Sequence, residues 1–373
     1  MLRLEDQEGR FHRQELISWW DQERLTSARV LVVGAGALGN EIVKNLILVG
    51  VGQIEVCDMD TIANSNLSRC VFFRSTDLGQ HKSEVLARRA RELYDAVEVV
   101  PHTVPIQRLG VGYLNKFDIV LGALDNREAR AWVNQACRKL GLYWLDGAIE
   151  GLRGLARMFG PEGACYECTL SENDYKQMSH RKSCALLAPQ DILEGKTPTN
   201  ASTASIIAAV QVQEAIKYLN GKIESLSLLS RAWMFTGDFM DTFISNYKED
   251  VDCLAHDRYP ELQDSPDKDL SELLLGFESQ DVIAIDFEEE IIHLLPCENC
   301  GKGDELLALR SSLAPGRGRC ECGSDYPGTM FSTVEPESLV TNIPFSDLGL
   351  ALKDIVTIRT TNNRHHFTVN GKR

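Results

Sequence analysis

Arg29-Val-Leu-Val-Val-Gly-Ala-Gly-Ala-Leu-Gly39 decides the fold. Val30 to Val33 is apolar without alternation, the pattern of a strand buried on both faces of a parallel sheet. Gly34, Gly36 and Gly39 then allow a tight turn, close approach to phosphates and close packing of the next helix. A second apolar run, Gln53 to Cys57, ends in Asp58, where a carboxylate can accept hydrogen bonds from ribose hydroxyls. Helical patterns follow at Leu38 to Val49, Lys82 to Tyr94, Arg127 to Leu140 and Ala201 to Leu219, and extended ones at Val30, Ile54, Val97, Ile119 and Tyr143. This alternation predicts an α/β fold with a doubly wound, Rossmann-like sheet.

A dehydrogenase needs only the glycine turn and Asp58. The next residues suit phosphate chemistry better. Asp60 precedes Asn64-Ser-Asn-Leu-Ser-Arg69, where Arg69 can make a bidentate phosphate contact, and Gly79-Gln-His-Lys82 brings a second cation to a helix start. The strand at Leu121-Gly-Ala-Leu ends in Asp125 and Asn126. Ligands of open α/β sheets gather at the carboxyl ends of strands, so Asp125 is placed to hold Mg2+ between phosphates. A nicotinamide or flavin enzyme is the alternative that these cations and amides disfavour.

These pieces, in this order, resemble the ThiF/MoeB and ubiquitin-activating superfamily, whose members adenylate the C-terminal carboxylate of a small ubiquitin-fold protein. The resemblance runs from Arg10-Phe-His-Arg13 through the glycine turn, Asp58-Met-Asp60, Ser65-Asn-Leu-Ser-Arg69, Lys82, Asp125-Asn126 and Cys165-Tyr-Glu-Cys168 to Thr199-Asn-Ala-Ser-Thr-Ala-Ser-Ile-Ile, roughly the first two-thirds of the chain. It implies that Asp58 binds ribose, that Asn66, Arg69 and Lys82 bind the triphosphate, and that Asp125 binds Mg2+. Asp60 and Asn126 join the nucleotide-binding set, and Arg13 would reach across a homodimer interface to the γ-phosphate of the partner's ATP. Adenylation needs no general base, because the attacking carboxylate is already ionised and requires positioning and cations.

The chain has 373 residues, formal net charge −15 and eleven cysteines. Its length predicts one large α/β domain and a smaller appended one. The acidic balance without a basic stripe argues against nucleic acid as a partner. The absence of an export signal or a membrane-length apolar run predicts a cytoplasmic protein that makes no membrane contact. Closely spaced cysteines in such a chain read as metal ligands rather than disulfides, whereas Cys57, Cys70 and Cys137 lie in apolar stretches and read as core thiols.

Two zinc sites are expected. Cys165 and Cys168 pair with Cys253 and His256, each pair at ligand spacing. The resembled family ties this region with a zinc knot usually made by four cysteines, so His256 is a departure that zinc accepts. Cys297 and Cys300 pair with Cys320 and Cys322 in a glycine-rich stretch that reads as a small zinc ribbon. Cys184 stands outside both sets, beside His180, Arg181 and Lys182, whose charge would favour a thiolate. Ubiquitin-activating enzymes carry a nucleophilic cysteine in this general place, which implies that Cys184 takes the acyl group as a thioester; a zinc ligand in place of His256 and an inert loop thiol are the other readings.

The expected division is an adenylation domain at 1–258 with a cysteine loop at about 169–200, a linker at 259–270, and a β-rich, zinc-containing domain at 271–373. In the last, Leu270 to Phe277 reads as a helix, Val282 to Phe287, Asp354 to Arg359 and His366 to Val369 as strands, and His365 and His366 as exposed strand residues. By the resemblance, an appended domain recruits a conjugating enzyme, and a single adenylation half suits a homodimer like the activators of bacterial ubiquitin-like conjugation operons, some linked to phage defence. Two alternatives stay open: a sulfur-carrier adenylyltransferase that forms no thioester, and an inactive scaffold that binds a ubiquitin-like protein.

Overall fold

The computed structural model describes residues 9–175, 198–313 and 317–371. The chain divides into two compact units, Met1–Pro105 with Lys116–Thr169 and Thr197–His256, and Ile106–Asn115 with Leu170–Lys196 and Asp257–Arg373.

The first unit opens with two short helices, α1 (His12–Glu15) and α2 (Gln22–Ser27), before the sheet begins. Its strands are β1 (Arg29–Val33), β2 (Gln53–Cys57), β3 (Glu98–His102), β4 (Ile119–Gly122), β5 (Tyr143–Glu150), β6 (Arg153–Phe159), β7 (Arg231–Thr236) and β8 (Asp241–Asn246). They form one eight-stranded sheet in the order β3-β2-β1-β4-β5-β6-β7-β8. The first five strands are parallel and the last three antiparallel. Helices α3 (Ala37–Leu48), α4 (Lys82–Arg91), α5 (Arg127–Leu140) and α6 (Ala201–Leu219) lie within a few residues of the sequence expectation. The strands at Val30 to Val33 are buried as an unalternating run should be. Ile42, Val43, Leu46 and Ile47 of α3, and Ala204, Ile207, Ala208, Val212 and Ala215 of α6, recur at helical spacing and join the same core. Asn200 starts α6 by accepting the Thr203 N–H at 2.9 Å. Strand order reverses between β1 and β4, which makes their carboxyl ends the switch point where ligands of such sheets bind.

The second unit contains β9 (Leu262–Asp264), α7 (Leu270–Leu274), β10 (Val282–Leu294), β11 (Leu306–Leu309), β12 (Gly328–Val334), α8 (Phe345–Leu348), β13 (Leu352–Thr360) and β14 (Arg364–Asn370). The sheet order is β11-β10-β13-β14-β9, and β12 also pairs with β10. Four features differ from expectation. Leu262–Asp264, in the stretch read as a linker, is a strand that pairs in parallel with β14; its polar composition fits an edge position. The strand read as ending at Phe287 continues to Leu294 through a register shift between Asp286 and Ile291, which interrupts its alternation. His366, read as exposed, is buried, with Nδ1 2.8 Å from the Thr357 hydroxyl and its ring 4.1 Å from that of Tyr259. Ile106–Asn115 also belongs to this unit. A Cβ on Gly110 would lie 2.8 Å from the Leu352 carbonyl oxygen, so only glycine admits that contact. Among the described residues, no helix is long and apolar enough to cross a membrane.

Candidate active site and metal-ligand groups

The switch point is built by close backbone contact. The Gly34 N–H donates to Cys57 O at 2.8 Å, and the Ala123 N–H donates to Val33 O at 2.8 Å. Gly34 has φ +104°, and a Cβ there would lie 2.4 Å from Ala123 O. A Cβ on Gly39 would lie 1.9 Å from Gly34 O, so helix α3 reaches the turn only because that side chain is missing. Gly36 caps α3, and a Cβ there would meet nothing within 4 Å, which leaves open space before the helix start.

Asp58 follows β2 and turns toward this space. Its Oδ2 accepts the Ala35 N–H at 2.7 Å and its Oδ1 the Asp60 N–H at 2.8 Å. Burial raises its carboxyl above the usual range, against the pull of Lys82 and the two amides. Lys82 arrives because its own N–H donates to Asp60 O at 2.9 Å, while the Ser83 hydroxyl donates to Asp58 O at 3.0 Å. The Lys82 ammonium lies 2.7 Å from Asp60 Oδ2. Burial works against its charge, yet Asp58, Asp60 and Asp125 hold its pKa above the usual lysine value. Asp58, Asp60, Lys82 and Asp125, read from separate motifs, are therefore electrostatic neighbours.

Asn66 is buried, and its Oδ1 accepts the Ala63 N–H at 2.9 Å, so it shapes the turn that carries Arg69. Arg69 Nη1 donates to Ser65 O at 2.6 Å. Asp125 is exposed after β4, and Asn126 caps α5, with its Oδ1 accepting the Ala129 N–H at 2.7 Å. Arg13 is exposed on α1. The neighbouring Arg10 anchors that arm: its Nη2 donates to Leu93 O at 3.0 Å, and its guanidinium lies 4.0 Å from the Tyr94 ring centre. Cys184 lies outside the described residues.

Several residues that organise the site went unread in the sequence. Asn40 is fully buried; its Nδ2 donates to Ala35 O (2.8 Å) and Gly36 O (3.0 Å), and its Oδ1 accepts the Phe72 N–H (3.0 Å). It thus ties the glycine turn to the arginine-bearing loop. Asp146 is fully buried between Arg130 and Arg157. The available signal was, for Asp146, a lone carboxylate in the apolar run Tyr143-Trp-Leu-Asp146-Gly-Ala-Ile, and, for Asn40, an amide one residue after the last glycine of the turn.

All ten described cysteines are free. Cys57, Cys70 and Cys137 are buried, as core thiols should be, and burial raises Cys70 to about 11 despite nearby Arg69 and Lys82. Among the described residues, two groups have ligand atoms all within 4.8 Å of one another: Cys165, Cys168, Cys253 and His256, and Cys297, Cys300, Cys320 and Cys322. Sulfur separations are 3.7 Å for Cys165–Cys253 and Cys165–Cys168, 3.6 Å for Cys297–Cys322 and 3.5 Å for Cys300–Cys320. A tetrahedral ion with metal–sulfur bonds of about 2.3 Å sets edges of about 3.8 Å, so both groups fit a metal ion. In the first group, His256 Nε2 lies 3.3 Å from Cys168 Sγ while its Nδ1 lies 3.6 Å from Glu249. That carboxylate is placed to hold the ring with Nε2 toward the ligands. Asn134 of α5 donates to Cys165 Sγ at 3.4 Å and to Glu167 Oε1 at 3.3 Å.

Residues 11–254, more than half of the chain, match the ThiF family. The NEDD8-activating enzyme E1 catalytic subunit of Caenorhabditis elegans is 39% identical over 162 residues, 40% of this chain and 38% of that protein. The chain thus spans well under half the length of that relative. The SAMP-activating enzyme E1 of Haloferax volcanii is 32% identical over 233 residues, 62% of this chain and 81% of that protein. Among solved structures, Escherichia coli MccB with ATP is 25% identical with TM-score 0.51, covering 63% of this chain and 68% of that one. The microcin C7 biosynthetic enzyme MccB with N-formylated MccA is 24% identical with TM-score 0.56, covering 67% and 75%, and shares the fold.

Proposed function

The chain belongs to the ThiF family, and from that membership we propose that it activates a ubiquitin-like protein with ATP, carries it on Cys184 and passes it to a conjugating enzyme. The observation that carries this reading is the convergence of the glycine turn, Asp58, Lys82 and Asp125 at the switch point of one sheet. The relatives named as NEDD8- and SAMP-activating enzymes support the substrate class.

Asp58, fixed by the amides of Ala35 and Asp60, accepts the ribose hydroxyls. Lys82 exchanges its contact with Asp60 for the phosphates, Arg69 adds a second cation, and Arg13 reaches the γ-phosphate from the partner of a homodimer. Asp125 holds Mg2+, which when bound offsets charge on the phosphates. A carboxylate oxygen of the substrate attacks the α-phosphorus, the bond to the β-phosphate breaks, and pyrophosphate leaves. The Cys184 thiolate then attacks the acyl carbon, the bond to AMP breaks, and a thioester remains. The two ligand groups hold structural zinc, because closed sets of thiolate and imidazole donors leave no position for a substrate.

The test mixes the chain with a ubiquitin-like protein ending in glycine, ATP and Mg2+, and reads intact mass without reductant for wild type and Cys184→Ala. A thiol-labile adduct lost in Cys184→Ala is expected. Adenylate without any adduct, unchanged by the substitution, leaves a sulfur-carrier type of adenylyltransferase; no adenylate with any candidate partner sinks the activity altogether.

A further inference from the structure

Asp146 on β5 is fully buried and shared by two arginines. Arg157 supplies Nε at 2.9 Å and Nη2 at 2.8 Å to Oδ2, and Arg130 supplies Nε at 3.1 Å to Oδ1. Arg157 alone would answer this carboxylate, and a second buried cation costs desolvation that one salt bridge rarely repays. The remaining donors of Arg130 give the reason for its presence. Its Nη2 donates to the carbonyl oxygens of Leu124 and, at 3.2 Å, Gly147. Leu124 directly precedes Asp125, and Asn126 caps α5, the helix that carries Arg130. The turn from Leu124 to Asn126 is thus closed at one end by the helix cap and at the other by a guanidinium one turn into the same helix. The guanidinium spans these acceptors with separate nitrogens, Nε on the carboxylate and Nη2 on the carbonyls, a spread that the single nitrogen of a lysine ammonium lacks.

We propose that Arg130, oriented by Asp146 and Arg157, is a positioning residue that fixes this turn so that the Asp125 carboxylate stays directed at the Lys82 side of the site. The assignment rests on Asp125 being the cation ligand of the proposed reaction. A helix-to-sheet staple would need the ion pair but not the Leu124 contact, so the two roles separate experimentally.

The experiment measures pyrophosphate exchange against Mg2+ concentration at saturating ATP and a saturating ubiquitin-like protein ending in glycine that wild type adenylates, together with thermal melting, for wild type, Asp125→Asn and Arg130→Lys. Arg130→Lys keeps a charge beside Asp146 and loses the carbonyl clamp. It is expected to need about 10-fold more Mg2+ for its half-maximal rate, to recover most of that rate when Mg2+ saturates, and to melt close to wild type. A wild-type Mg2+ dependence in folded Arg130→Lys overturns the proposal, as does a rate loss that Mg2+ does not rescue and that tracks melting. If Arg130→Lys does not fold, Asp146→Asn, which keeps an oxygen for Arg157, is read in the same way. Absence of exchange by wild type overturns the functional reading itself. Exchange with a Mg2+ shift in Asp125→Asn but none in Arg130→Lys removes only the positioning role.

Discussion

The cysteine group of the first unit joins stretches 88 positions apart and leans on helix α5 through Asn134. That of the second unit closes within 25 positions on two tight turns, Gly301 N–H to Cys297 O at 2.7 Å and Gly323 N–H to Cys320 O at 2.9 Å. The donor sets differ by one histidine for a cysteine, but an ion that joins distant stretches removes more freedom from the unfolded chain, and its neighbours are core elements. Buried carboxylates differ in the same direction. Asp146 is answered by two guanidinium groups, whereas Asp354 of the second unit accepts the amides of Ala351 (3.3 Å) and Ile355 (3.0 Å). The first cysteine group thus joins distant stretches and the second closes locally, and the first buried carboxylate is met by charged side chains where the second is met by backbone amides.

The largest effect that could break this contrast is Cys165→Ser. Metal analysis of the purified chain should fall from two ions to one, and denaturant unfolding of the first unit should lose on the order of 4 kcal/mol. An unchanged first-unit transition would mean that the group is not a staple.

Asp354 probes the carboxylate half of the contrast. Burial, followed by Glu288 and Glu289, raises it from 3.8 to about 7. Between those values the folded chain keeps a proton that the unfolded chain releases. The stabilisation is therefore complete below about pH 4 and is lost as pH rises through 7, with a ceiling of about 4 kcal/mol. Asp354→Asn should flatten the pH profile of second-unit unfolding, and an unaltered slope would discount the burial argument.

Cys322→Ser should also remove one ion, but should cost the second unit only about 1–2 kcal/mol and leave the first-unit transition in place. Cys322 is exposed, as Cys300 is, and its thiol is lowered to about 6 by the amide and hydroxyl of Ser324 and by Asn299. The smallest change, Asn134→Ala, removes a donor to Cys165 Sγ without touching a ligand. Chelator competition should show the first ion leaving about 10-fold faster and the second unaffected; equal effects on both would erase the contrast.

Legibility followed the same division. The glycine turn, Asp58, Lys82 and Asp125 were readable because each sits where a local pattern ends: a strand run, a helix start, a strand end. Both ligand groups were readable from pair spacing. Asn40, Arg130 and Asp146 were not, since the neighbours of a polar residue in the chain give no sign of what it will meet in the core. The β6–β7–β8 extension went unread for a related reason, as antiparallel pairing joins residues such as Ala156 and Trp233 that share no local pattern. Ile106–Asn115 sits between two strands of the first unit yet belongs to the second, a placement decided by contacts such as that of Arg108 with Gly349 O.

By itself the sequence determined the periodicity of each element, the glycines that permit the turn at Gly34, and the residue types that can hold phosphate or metal, because these depend on neighbours within a few positions. The tertiary structure alone decided that Lys82 stands among Asp58, Asp60 and Asp125, that Asp146 is shared by two arginines, and that His366 is buried. Those outcomes depend on which surfaces desolvate together, and that is settled when strands far apart in the chain pair and the core closes over them.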